Sequence, residues 1–104
     1  MYQIILISCA NKKEAKRIAI HLVEERLAAC VNILDKVESF FWWQGKLDYA
    51  KECFLMVKSK KENFSRIIKE IKKLHSYQVP EIIALRITQI EKRYQRWLDE
   101  SIPT

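Results

Sequence analysis

Apolar positions along this chain follow two spacings, and their alternation predicts its secondary structure. Tyr2–Cys9 is a short, β-branched apolar run, which is typical of a central strand. Apolar residues then recur at helical spacing, which predicts a helix that ends near Arg26 and buries one face. That face consists of Ala15, Ile18, Ala19, Leu22 and Val23.

Two longer strand-like segments follow and predict a hairpin. Ala29–Trp43 is long for one regular strand, so we expect a bend or bulge at 34–36. The only glycine, Gly45, lies in the turn Gln44–Lys46, where a tight hairpin requires a positive φ. Leu47–Lys58 returns as the partner strand, with apolar residues on both of its faces.

A second helix, a fourth strand and a short final helix complete the pattern. The second helix buries a face formed by Phe64, Ile67, Ile68, Ile71 and Leu74. Glu81–Ile87 reads as a strand, and the final helix carries Tyr94, Trp97 and Leu98 on one side. Three capping-box patterns predict where the helices begin: Asn11 with Glu14, Ser59 with Glu62, and Thr88 with Glu91.

The order β-α-β-β-α-β with a C-terminal helix predicts an α+β, ferredoxin-like fold. In this split βαβ arrangement two crossovers place both helices on one face of an antiparallel sheet. We expect residues 1–104 to form one domain. The strands are apolar on both faces, and an aromatic hairpin, Phe40–Trp43, extends beyond them. Because such surfaces mark interfaces, the sequence predicts a homo-oligomer whose subunits cover each other's open sheet faces.

The net charge of +6 raises the possibility of an anionic partner. The basic residues lie mostly on predicted helix faces and alternate with glutamates, so a solvated surface of mixed charge explains them. The strands are apolar and lack an RNP-like pattern, so we expect no nucleic-acid partner. The first apolar run is too short for a membrane span and no basic segment precedes it. We therefore expect a cytoplasmic protein without a membrane partner.

The connection between the second helix and the fourth strand, His75–Ile83, carries the most candidate chemistry. It holds an imidazole, a phenol, an amide and a carboxylate beside Pro80, which stiffens the segment. One interpretation is a connection whose polar groups bond locally, with His75 close to the last helix carbonyls. The other is a binding site.

Cysteines and serines give no sign of an enzyme. Cys9, Cys30 and Cys53 are an odd number without CxxC spacing, which predicts neither a disulfide framework nor a zinc knuckle. Buried packing is the expected role of Cys30 and Cys53. No serine or cysteine has a recognisable base beside it in the sequence, so we expect no catalytic activity.

Four segments in register resemble the CutA divalent-cation tolerance family. They are Arg26–Ile33 (RLAACVNI), Ser39–Lys46 (SFFWWQGK), Leu74–Ile83 (LHSYQVPEII) and Tyr94–Leu98 (YQRWL). The resemblance covers nearly the whole chain. It implies a ferredoxin-like subunit in a tight homotrimer related in architecture to PII signalling proteins.

The resemblance also implies a role in tolerance to copper or other divalent metal ions. Its candidate ligand here is His75. Cys9 lies about two residues from the position of the family's cysteine, a shift that keeps the same strand face, and is the second candidate; this pair of donors suits copper. The alternative is a PII-like signalling or scaffolding module that binds a small anion or an unidentified protein partner in clefts between subunits. Candidates to line such a cleft are Trp42, Lys58, Tyr77 and Glu81, with Lys58 as the charge partner of an anion.

Overall fold

Four strands and three helices make up residues 1–103, the part of the chain that the computed structural model describes. In chain order they are β1 (Tyr2–Cys9), α1 (Lys12–Glu24), β2 (Cys30–Trp43), β3 (Lys46–Lys60), α2 (Phe64–Leu74), β4 (Ile82–Arg86) and α3 (Lys92–Ser101). A short 3-10 turn, Lys61–Asn63, connects β3 to α2.

The strands form one sheet in the order β2-β3-β1-β4. β1 lies between β3 and β4 and is antiparallel to both. Each helical connection therefore skips over a neighbouring strand, as in the split βαβ arrangement. The predicted α+β, ferredoxin-like fold is confirmed.

The predicted bulge and turn of the hairpin are both present. The register of β2 against β3 shifts between Leu34 and Val37, and Lys36 has a φ of 59°. At the tip, Gln44 and Gly45 have φ values of 50° and 76°. Positive φ at both central residues is what a type I′ two-residue hairpin loop requires.

The core lies between the sheet and helices α1 and α2. Alternate residues of the strands, such as Ile5 and Leu55, are fully buried against this layer, and so are Ile18 and Ile67 of the helices. Burying one aliphatic side chain of this size contributes about 1.5–3 kcal/mol, so this layer supplies most of the driving force for folding.

The opposite face of the sheet is only partly covered. α3 lies over one end of it, where the Tyr2 hydroxyl donates to Asp99 Oδ1 at 2.6 Å. Farther along, Ile83 and Leu85 of β4 remain 50% and 51% exposed. The apolar character of this face, expected from the sequence, is therefore present without a covering layer in the single chain.

Two of the three predicted capping boxes are wrong. Ser59 belongs to β3, which continues to Lys60, and its hydroxyl donates to the Leu27 carbonyl at 2.6 Å. Thr88 precedes α3 by too many residues to cap it. Glu91 is the N-cap instead, and its own carboxylate accepts from the Tyr94 N–H.

The end of α1 also differs from the prediction. α1 ends at Glu24, and Val23, expected in the buried face, is 41% exposed. The chain reverses at Arg26, which has a φ of 59°. Leu27 then folds back with its N–H on the Leu22 carbonyl, and Leu27, not Val23, is buried in the core.

Candidate metal centre

Three side chains that can hold a metal meet at one end of the sheet. Cys9 is the last residue of β1, Glu14 lies in the first turn of α1, and His75 follows α2. A sulfur, a carboxylate oxygen and a ring nitrogen from these residues all lie within 4.8 Å of one another. The two residues proposed as ligands from the sequence, Cys9 and His75, are thus brought together, and Glu14 joins them.

Hydrogen bonds to backbone fix the orientation of the His75 ring, whose side chain is fully buried. The Tyr77 N–H donates to Nδ1 at 3.0 Å, so the proton is on Nε2, which donates to the Ser8 carbonyl at 2.6 Å. The His75 side chain therefore binds β1, and only the backbone N–H of His75 binds a carbonyl in the last turn of α2, that of Ile71 at 2.9 Å. Metal-binding histidines usually donate their second ring nitrogen in this way, which sets the ring orientation.

Glu14 is a buried carboxylate held by two backbone segments. Asn11 caps α1 by accepting from the Glu14 N–H at 2.8 Å, as predicted. Glu14 Oε2 accepts from the Ala10 N–H at 2.8 Å, and Oε1 accepts from the Ser76 N–H at 2.5 Å. Burial alone would raise the pKa of Glu14, but these hydrogen bonds outweigh burial and hold its pKa below the usual value. Glu14 is therefore an anion at neutral pH.

The cysteine thiols at this end are both protonated in the absence of metal. Burial, reinforced by the negative charge of Glu14, raises the pKa of Cys9 to about 12. Burial and a hydrogen bond to Asp35 raise the pKa of Cys53 to about 11. Because metals bind thiolates, an ion that uses either sulfur has to displace its proton.

The remaining cysteine lies elsewhere. Cys53 is buried, as expected from the sequence, but Cys30 is only partly buried and sits on the sheet face opposite α1 and α2. The expectation of buried packing for Cys30 is wrong because its strand neighbour Val31, not Cys30, points into the core.

A cleft of about 1280 Å³ opens between the hairpin and the connection after α2. Tyr77 and Glu81, two of the cleft residues proposed from the sequence, line it. The other two residues proposed from the sequence, Trp42 and Lys58, do not line this cleft. Trp42 is 75% exposed near the hairpin tip, and Lys58 lies on the open sheet face, where its ammonium donates to Asn32 Oδ1.

The charged side chains that line the cleft, among residues 1–103, are all carboxylates. Its acidic lining residues are Glu38, Asp48, Glu52 and Glu81, and no lysine or arginine lines it. The Tyr77 hydroxyl donates to Glu52 at 2.7 Å, and burial, with the nearby charge of Glu52, raises the pKa of Glu81. In the single chain this lining suits a cationic or hydrogen-bond-donating group better than an anion.

Sequence reasoning missed Glu14 as part of the metal centre. Its capping-box position was recognised, but such a residue is usually exposed and serves only its own helix. The available signal was that the pattern begins two residues after Cys9, which places Glu14 at the same end of the sheet.

Residues 1–103 contain no helix that is both long and apolar enough to cross a membrane.

This chain is similar in sequence and in fold to known proteins. The profile of the family described as CutA1 divalent ion tolerance protein matches residues 3–101. The Divalent-cation tolerance protein CutA of Archaeoglobus fulgidus is 42% identical over 102 residues, covering 98% of this chain and 99% of the relative. The protein of the same name from Thermus thermophilus is 42% identical over 101 residues, 97% of this chain and 98% of the relative.

Solved structures of both relatives superpose closely. The divalent cation tolerance protein of Thermus thermophilus has a TM-score of 0.95, covering 97% of this chain and 98% of that chain. The structure described as the periplasmic divalent cation tolerance protein CutA from Archaeoglobus fulgidus also has a TM-score of 0.95, with coverage of 98% and 99%. By sequence and by fold, this chain belongs to the CutA1 divalent ion tolerance protein family.

Proposed function

We propose that this protein binds copper or a similar divalent cation through Cys9, Glu14 and His75 and so contributes to tolerance of such ions. The observation that carries the proposal is the convergence of a thiol, a carboxylate and an imidazole within 4.8 Å at a buried position. The family's association with divalent-cation tolerance supports the same conclusion.

The donor set fits such an ion. Thiolate and imidazole ligands suit copper and zinc, whereas magnesium and calcium prefer all-oxygen sites. His75 already has Nε2 committed to Ser8, so Nδ1, which is 3.8 Å from Glu14 Oε1, is the nitrogen that would face the ion. The Tyr77 N–H donates to this nitrogen, so an ion that binds Nδ1 has to displace that hydrogen bond. The protein would act as a metal buffer or sensor, not as a catalyst.

The working unit in this proposal is a cytoplasmic homotrimer. The half-exposed apolar face of the sheet and the aromatic hairpin are the surfaces that self-association would cover. Trp42 at 75% exposure and Phe40 at 69% are costly to leave in water in a single subunit.

The cleft supports a second candidate, a PII-like signalling or scaffolding module. Its volume of about 1280 Å³ is ample for a ligand or a partner's side chains. The carboxylate lining favours a protein partner that presents lysine or arginine over the small anion expected from the sequence.

Calorimetric titration of copper(II) into the protein and two histidine variants tests the first proposal. His75→Ala removes a ligand, so we expect affinity to fall by more than about 100-fold, the upper end of the effect of losing a merely supporting residue. His21→Ala is the matched control, since His21 lies partly exposed on α1, bonded to Glu70, and should leave affinity unchanged. Equal affinity in all three proteins would refute the proposal.

A further inference from the structure

A second buried thiol lies beside the metal centre. Cys9 of β1 and Cys53 of β3 are directly opposite each other in the antiparallel ladder. Both are fully buried and belong to the same core cluster, so both side chains point toward α1 and α2. Residues paired in this way have Cβ atoms about 4.5–5.5 Å apart. Two sulfurs on such a pair can share one ion, since metal–sulfur bonds are about 2.3 Å long.

The β2 bulge holds Cys53 from the other side. The register shift between Leu34 and Val37 leaves Asp35 opposite Cys53, and the thiol donates to Asp35 Oδ1 at 3.0 Å. The same carboxylate oxygen accepts from the Lys36 N–H at 2.8 Å, which fixes its position. Bulges often re-aim a side chain next to a functional site. Here the bulge supplies a polar partner for the Cys53 thiol on the side away from Cys9.

We propose that Cys53 is a further ligand of the Cys9–Glu14–His75 centre and makes the centre selective for thiophilic divalent ions, zinc and cadmium as well as copper, over divalent ions that prefer oxygen. This inference rests on the proposed function. The Cys53 thiol lies outside the group of donor atoms within 4.8 Å of one another and is turned toward Asp35, so it has to rotate away from that carboxylate to reach an ion. The centre would then offer two sulfurs, one nitrogen and one oxygen, and four donors of these types are what zinc takes in structural sites. The same four donors disfavour magnesium, calcium and manganese, because these ions prefer oxygen ligands.

Charge balance also favours a divalent ion. Binding follows M²⁺ + 2 RSH → M(SR)₂ + 2 H⁺, in which the two thiolates neutralise the ion. Glu14 carries its charge before binding and has it offset by the Ala10 and Ser76 N–H groups. A monovalent ion on the same two sulfurs would leave an additional negative charge buried beside Glu14, which is unfavourable.

Cobalt(II) and cadmium(II) titrations of two cysteine variants test the inference. Cys53→Ser keeps a hydroxyl that can donate to Asp35, so the fold should be retained. We expect it to lose about half of the thiolate-to-cobalt charge-transfer absorption and at least about tenfold in cadmium affinity. Cys30→Ser is the matched control, because Cys30 lies on the opposite face of the sheet, and it should match the wild-type protein.

The outcomes separate the inference from the proposed function. If Cys53→Ser keeps the full absorption and cadmium affinity while His75→Ala loses metal, the inference is overturned and the proposed function stands. If the wild-type protein binds neither ion, or His75→Ala binds both unchanged, the proposed function fails. Should Cys53→Ser not fold, the cadmium NMR shift of the wild-type protein decides. A value typical of two sulfur ligands supports the inference, and a one-sulfur value overturns it.

Discussion

Glu14 shows how one buried side chain can join distant parts of the chain. Its carboxylate accepts from the N–H of Ala10 next to β1 and from the N–H of Ser76, which is 62 positions away. It thereby holds the connection that carries His75 against the end of β1. The same two contacts that stabilise the fold therefore position the candidate ligands.

Replacing Glu14 by Gln should destabilise the protein by about 1–3 kcal/mol. The amide has only one acceptor oxygen, so one of the two backbone N–H groups at this buried position would face an NH₂ group. Urea unfolding measures the change. Glu24→Gln is the control, since Glu24 is exposed on the same helix and should change stability by less than about 0.5 kcal/mol. Equal stability of the two variants would contradict this account of Glu14.

The sequence identified His75 through a family resemblance and Cys9 as a thiol at the end of the first strand, and the structure brings them together. The role of Glu14 could not be predicted in the same way. Helix capping is a local property that a sequence displays, but the bond to Ser76 depends on how α2 ends relative to α1. The pairing of Cys9 with Cys53 likewise depends on strand register, which alternation alone leaves open.

The strands and helices themselves were largely predictable because their apolar spacing matches their geometry. The bulge in β2 and the turn at Gly45 followed from strand length and from the only glycine. The second capping box failed because β3 continues through Ser59 to Lys60, where pairing with Tyr2 outweighs the local capping preference. Tertiary contacts thus decided the element boundaries that local patterns could not.

The hairpin turn makes a quantitative prediction. A Cβ added at Gly45 would meet no heavy atom within 4 Å, so Gly45→Ala should cost only backbone strain at a φ of 76°. We expect a loss of about 1–2 kcal/mol in urea unfolding. Gly45→Asn should lose less, because asparagine adopts this conformation more readily. A Gly45→Ala variant as stable as the wild-type protein would show that the turn does not need this conformation.

The contact between α1 and α2 predicts a pH dependence. Hydrogen bonds from His21, at 2.8 Å, and from Lys73 lower the pKa of Glu70. A lowered folded-state pKa adds stability that is fully present above the unfolded value of about 4.3 and is lost as pH falls through the folded value.

Glu70→Gln should therefore flatten the stability–pH curve below about pH 4.3, as measured by urea midpoints at several pH values. Glu62→Gln, at an exposed position before α2, is the control and should follow the wild-type curve. Parallel curves for the wild-type protein and Glu70→Gln would contradict the assignment of this dependence to Glu70.

The molecule as a whole has two unequal sides. One face of the sheet is sealed by α1 and α2, while the other and the long hairpin expose large apolar side chains, including Trp42, Phe40 and Leu47. In the sequence, β3 carries apolar residues on both of its faces. This indicated that the face of the sheet away from α1 and α2 is apolar as well. The partner that would cover the second face lies outside a single chain, so the sequence predicted a homo-oligomer, and the resemblance implied that it is a trimer.

The trimer proposal predicts that a charge on the hairpin will dissociate the assembly. Trp42→Glu would place a carboxylate in the expected interface, and we expect it to shift the protein toward monomer in analytical ultracentrifugation. Ile20→Glu is the matched control, because Ile20 is also exposed, at 57%, but lies on the outer surface of α1. A Trp42→Glu variant with the wild-type mass would contradict the role of the hairpin.

Native mass spectrometry with added copper(II) tests the central claim most directly, because it reports assembly and metal binding in one spectrum. We predict a trimer that takes up one ion per chain in the wild-type protein and in His21→Ala, and none in His75→Ala. A wild-type trimer that takes up no metal, or a His75→Ala trimer that takes up as much as the wild type, would contradict the assignment of the metal centre to Cys9, Glu14 and His75.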